Sequence, residues 1–297
     1  MSGFIKRYKY VILTYLVLTV LTVFADLLVV STNHNSKAVL ASTTIPQILA
    51  AVASATPIAT AEPILNPVPS PTVMLSPSPD PTLSKNKYKI AIVGDSMIET
   101  MGDNLDYLAT ALKQKYPDTE FEMYNYGVGS ENVLEGSDRL VKSFAHGKRN
   151  YPPITDVKPD VIIVGSWAYN PPAEYDKNVH WNYLAGIINK SKEISKKVYV
   201  LAEVAPLEDD FGKGPKGVNW PAELVAFHIQ KIVELMQNAR HLPNALDVGL
   251  IDVYSQTTQD NSPYGKNEYV DTSDHIHPSV LGHTITAETI RDTIVLE

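Results

Sequence analysis

From residue 88 onward, apolar positions fall into two alternating regimes. Short, nearly continuous apolar runs are separated by longer segments in which apolar residues recur every three or four positions. The runs "YKIAIVG" (88–94), "EFEMYNYG" (120–127), "PDVIIVGS" (159–166), "KVYVLAEVAP" (197–206) and "DVGLIDVYS" (247–255) predict strands. Residues 98–117, 131–147, 182–195, 221–239 and 279–295 predict helices, and in the first of these Leu105, Leu108 and Leu112 share one side. Strands that are apolar throughout belong in a parallel sheet covered on both faces. Residues 88–297 therefore read as one α/β domain with a mostly parallel five-stranded sheet.

The first part of the chain follows other rules. Lys6, Arg7 and Lys9, within a basic segment 1–9, precede the apolar run 10–30, in which Asp26 is the one acidic residue. Such a run approaches the roughly 20 residues that cross a bilayer core. A basic N-terminal flank predicts a cytoplasmic start and an exported remainder. The apolar stretch of a cleaved signal peptide is shorter, about 7–15 residues, so the expectation is an uncleaved, single-pass anchor. Residues 31–87 contain a stretch rich in Pro, Ala, Ser and Thr from Pro46 to Pro81. Pro-rich sequence is extended and semi-stiff, which predicts an extracytoplasmic stalk.

Composition narrows the function further. The net charge of −8 lacks the basic excess of a nucleic-acid binder. The absence of Cys removes disulfides, thiolate zinc sites and Cys nucleophiles together.

Open parallel sheets carry their sites beyond the carboxyl ends of the strands. Those ends read Gly94-Asp95-Ser96-Met97, Asn125-Tyr126-Gly127-Val128-Gly129-Ser130 and Gly165-Ser166-Trp167-Ala168-Tyr169-Asn170, with "DTSDHIHPS" (271–279) before the last helix. A serine nucleophile needs a base to take its proton, and an imidazole base needs a carboxylate to hold its tautomer. Ser96, His277 and Asp274 supply these three groups. The developing oxyanion needs fixed donors, available from the amides of Ser96 and of the Gly127–Ser130 loop, with Asn170 as a third. Asp95 reads as a turn-stabilising residue. A competing reading has Asp274 or Ser273 capping the last helix. His275 is an alternative base, and a His275-x-His277 metal pair lacks a fuller ligand set nearby in sequence. His228 and His283 read as packing or surface residues. Tyr126, Trp167 and Tyr169 either line an acyl or sugar pocket or belong to the core.

Together these residues resemble the SGNH, or GDSL, family of serine hydrolases, over residues 88–297. "GDSM" matches the family's first block, "NYGVGS" resembles the second, and "DHIHP" matches the last, Asp-x-x-His-Pro. The resemblance implies a flavodoxin-like three-layer α/β/α fold, no metal or organic cofactor, and a Ser96–His277–Asp274 triad. Two departures stand out. The family's third block, Gly-x-Asn, would place its Asn at Trp167, and Asn170 is the nearest replacement. The second block's glycine spacing lands on Ser130 with Gly129 one residue earlier, so either amide can serve. The resulting expectation is an esterase acting on O-acyl, foremost O-acetyl, groups of cell-surface carbohydrate. A lipid or lysophospholipid acylhydrolase, an O-acetyltransferase and an inactive carbohydrate-binding module are the alternatives.

Overall fold

The computed structural model describes residues 83–296. The predicted anchor (10–30) and nearly all of the predicted stalk (31–87) lie outside the described residues. Among the described residues, no helix is long and apolar enough to cross a membrane.

Five strands form one sheet: β1 (Lys87–Gly94), β2 (Glu120–Gly127), β5 (Val161–Val164), β6 (Lys197–Ala202) and β7 (Gly249–Asp252). Their order is β2-β1-β5-β6-β7 and every pairing is parallel. Side chains alternate between the two faces of a strand, and the core divides accordingly. Ile90, Ile92, Val161 and Ile163 pack toward α2 (Asp106–Lys115) and α8 (Val280–Thr293). Ala91, Val93, Ile162 and Val164 pack toward α3 (Val133–Arg139) and α5 (Lys177–Ile194). The long helix α6 (Ala222–Leu246) contributes to both faces, with Ile229 and Ile232 on one and Ala239 and Leu242 on the other. The three-layer sandwich is thus the one that the apolar pattern predicts. Between β1 and β5 the chain order reverses, and a doubly wound sheet opens its crevice at such a switch point.

The predicted elements depart from the observed ones most at three places. The helix expected over 98–117 is two helices, α1 (Ser96–Glu99) and α2, because Gly102 (φ +88°) and Leu105 (φ +51°) turn the chain left-handed between them. The helix expected over 131–147 ends at Arg139. It is followed by an antiparallel hairpin, β3 (Phe144–His146) and β4 (Arg149–Tyr151). Aromatic packing explains the change. Phe144 stacks on Tyr151 at 4.4 Å and Tyr126 lies 5.3 Å from Tyr151, a cluster that a continued helix would break up. The strand predicted over 247–255 stops at Asp252, whose carboxylate accepts the Ser255 amide at 2.9 Å and starts α7 (Val253–Thr257).

Candidate active site

The nucleophile candidate sits where β1 gives way to α1. Gly94 is required at this corner, since a Cβ there would lie 2.4 Å from Ile98 Cγ1. Buried Asp95 caps α1, its Oδ1 accepting the Met97 amide at 3.0 Å. Ser96 is therefore the first helical residue, half-buried at the carboxyl edge of the sheet. Its hydroxyl has no protein hydrogen-bond partner among the described residues.

The second group comes from the turn before α8. Asp274 Oδ1 accepts the amides of Ile276 (2.8 Å) and His277 (3.0 Å), which curls the chain back on itself. Asp274 Oδ2 accepts from His277 Nδ1 at 2.7 Å. Burial raises the Asp274 carboxyl, but its bonds from the His277 ring and the two amides outweigh that and hold it below the ordinary carboxylate range. The cap of α8 is Ser279, whose hydroxyl accepts the Gly282 amide at 3.1 Å, so Asp274 is not needed as a cap. Ser96, Asp274 and His277 all line one cavity of about 460 Å³. His275, at φ +53°, lies outside its lining, which leaves His277 as the base candidate. No group of three or more metal-ligating side chains occurs among the described residues.

The oxyanion candidates separate. The Gly129 amide is already bonded to Glu99 Oε2 at 2.7 Å, which corrects its assignment as a free donor. Ser130 lines the cavity and adopts φ +62°, the left-handed conformation a glycine would take. Its amide has no protein partner among the described residues. Asn170 also lines the cavity, with Nδ2 donating to Asp95 Oδ2 at 2.9 Å and a second N–H left over.

Two pocket expectations are corrected. Trp167, at φ +52° and 1% exposed, turns into the core below Gly136 and donates to Glu131 Oε2 at 3.4 Å. Tyr126 is buried under the hairpin, its hydroxyl donating to the Pro152 carbonyl at 2.8 Å. Neither lines the cavity. Tyr169 does, stacked on Phe211 at 6.3 Å and donating to the Val204 carbonyl. The cavity also takes Glu99, Thr100, Phe211, Lys216, Trp220 and His228, which sequence reasoning did not select. Most of these come from the segment after β6 and the start of α6, a strand end whose Gly- and aromatic-bearing "FGKGPKGVNW" (211–220) was the available signal.

Below the site lie two buried carboxyls. Glu203 Oε1 accepts the Ser166 amide at 2.8 Å, while Oε2 is buried without a partner. Burial, then the charge of Asp95, pushes the Glu203 carboxyl up to about 8. Burial also raises Asp95, against the bonds from Met97 and Asn170. A raised carboxyl binds its proton more tightly in the folded state, so stability is full below its unfolded value and is lost as pH rises toward the folded value. Buried His180 and His283 are lowered from 6.5 to about 4 by burial, so they oppose the Glu203 effect only below pH 6.5. Urea denaturation should therefore show stability falling between pH 6.5 and 8, with Glu203→Gln abolishing that slope. An unchanged slope in the variant would assign it elsewhere.

Solved structures of similar architecture include an acetyl xylan esterase, 17% identical with a TM-score of 0.50, the match covering 70% of this chain and 100% of that one. A lipase/acylhydrolase from Enterococcus faecalis is 21% identical (TM-score 0.48; 69% of this chain, 94% of that one). A GDSL-like lipase from Bacteroides thetaiotaomicron is 15% identical (TM-score 0.49; 69% and 86%). No protein-family model matches the sequence, and no curated protein matches it. At such identities the likeness speaks to architecture alone, and on it the chain shares the three-layer α/β fold of the acetyl xylan esterase.

Proposed function

We propose that the chain is a serine esterase. The observation that carries this reading is that Ser96 and the bonded Asp274–His277 pair open on one cavity at the carboxyl edge of the sheet. Ser96 Oγ attacks the ester carbonyl while His277 Nε2 takes its proton. Asp274 holds His277 Nδ1–H and stabilises the imidazolium. The amides of Ser96 and Ser130, with the Asn170 side chain, face the tetrahedral oxyanion. His277 then protonates the departing alcohol. Water, deprotonated by the same ring, releases the acid and restores Ser96.

The anchor and stalk legible in residues 1–87 support an extracytoplasmic, membrane-tethered enzyme. Substrates at the cell surface follow, with O-acetyl groups on carbohydrate first. A lipid-ester reading is favoured by one feature. Val218 and Trp220 on the cavity wall are exposed apolar residues, and so are Leu224 and Phe227 a few positions on in the chain, at 55% and 58% exposure. Large exposed apolar strips mark binding surfaces. The test is hydrolysis of p-nitrophenyl acetate and octanoate by the full chain and by Ser96→Ala. We expect the acetate to be preferred by about tenfold or more in kcat/KM. A preference for octanoate, lost in Leu224→Ser/Phe227→Ser, would replace the carbohydrate reading with the lipid one.

A further inference from the structure

One turn after the nucleophile, Glu99 turns its carboxylate toward the loop that follows β2. Oε2 accepts the Gly129 amide at 2.7 Å. Oε1 is bonded by His146 Nε2 at 2.9 Å and by Arg149 Nη2 at 3.2 Å, both from the β3–β4 hairpin. Asp103 pairs with the other guanidinium nitrogen of Arg149 at 3.1 Å. This contact sits beside the reacting group. A Cβ on Gly129 would lie 2.7 Å from Glu99 Oε2 and 3.8 Å from Ser96 Cβ. The next residue is Ser130, in the left-handed region at φ +62°. A non-glycine residue keeps that conformation only where its surroundings over-determine it. The loop is pinned at the two residues just before the turn: the Val128 amide donates to the Gly94 carbonyl at 3.1 Å, and the Gly129 amide donates to Glu99.

We propose that Glu99 is a positioning residue: it holds Gly129 so that Ser130 presents its amide to the oxyanion, and the hairpin's Arg149 neutralises the charge this requires. The inference rests on the esterase reading of Ser96. A bare carboxylate at this distance from Ser96 would oppose the negative charge developing on the substrate oxygen. Arg149 supplies the compensation, and His146 adds a hydrogen bond to the same oxygen. The hairpin, which follows where the helix expected over 131–147 stops short at Arg139, thereby gains a task at the site.

The test uses the full chain, p-nitrophenyl acetate and an organophosphonate that labels the nucleophile. Glu99→Ala should lower kcat about 10- to 100-fold, as misplacing a catalytic group does, with KM changed less than about twofold because ground-state binding is left in place. Glu99→Gln should retain most of kcat, since its amide oxygen still accepts from Gly129. Arg149→Met should lower kcat in the presence of Glu99 but not in a Glu99→Gln background, a dependence that a purely structural role would not produce. A normal kcat in Glu99→Ala would overturn the inference. A raised kcat would overturn it in favour of Glu99 blocking the Gly129 amide. An equal loss from Arg149→Met in both backgrounds would also overturn it. These outcomes require an active wild type. A wild type that neither turns over nor takes the label would overturn the esterase reading, and this inference with it.

Discussion

Ser96→Ala should remove ester hydrolysis, lowering kcat on the order of 10⁴- to 10⁶-fold, the loss seen when a triad nucleophile is deleted. The fold should be unaffected. The Ser96 hydroxyl makes no hydrogen bond within the described protein, and the α1 cap is supplied by Asp95. Thermal stability should therefore stay within about 0.5 kcal/mol of the wild type, as for substitutions away from packing and caps. Labelling by an organophosphonate should vanish in parallel. His277→Ala should match Ser96→Ala in rate, and the double variant should be scarcely worse than either, because groups that act as one unit are not additive. Substantial hydrolysis by a folded Ser96→Ala protein would remove Ser96 from the mechanism and with it the esterase proposal.

The largest loss of stability should come from a residue outside the cavity. Arg139 grips Glu131 with two bonds, Nε to Oε1 at 2.5 Å and Nη2 to Oε2 at 2.6 Å, and both side chains are nearly buried at 11% and 8% exposure. Nη2 also donates to the carbonyls of Gly94 (3.1 Å) and Tyr126 (2.9 Å), where β1 and β2 end. The guanidinium packs 4.6 Å from the Phe144 ring centroid. Arg139→Met leaves the Glu131 carboxylate buried and uncompensated, which costs about 3–5 kcal/mol. Removing both charges in Glu131→Met/Arg139→Met leaves no stranded ion and should recover most of that loss. Urea denaturation of the two single variants and the double one measures the coupling. A cost below about 1 kcal/mol for Arg139→Met would mean that solvent reaches Glu131 and the pair is not buried in practice.

Which parts of the molecule were legible beforehand follows from how local their causes are. Burial on both faces writes a continuous apolar run into the inner strands, so most of the strands, their parallel arrangement and the layers of helix could be read directly. The β2 strand occupies the predicted 120–127. The Asp274–His277 bond was also legible, because its partners lie three residues apart and meet within one turn. Contacts between distant strand ends were not. From its place after a strand, Trp167 reads equally as a pocket aromatic or as core. Its left-handed backbone sends the indole into the core below Gly136, and that choice depends on the space a glycine leaves on another element.

By itself, then, the sequence determined the α/β class and the strand order along the chain, which follow from periodicity, and offered the candidates Ser96, Asp274 and His277, which follow from their place at strand ends and from the resemblance their motifs carry. Only the tertiary structure decided that these three share one cavity, that Gly129 is engaged by Glu99 while Ser130 is left open, and that a hairpin covers Tyr126. Those outcomes turn on backbone dihedrals and on packing between segments far apart in the chain, and the pattern of apolar and polar residues encodes neither.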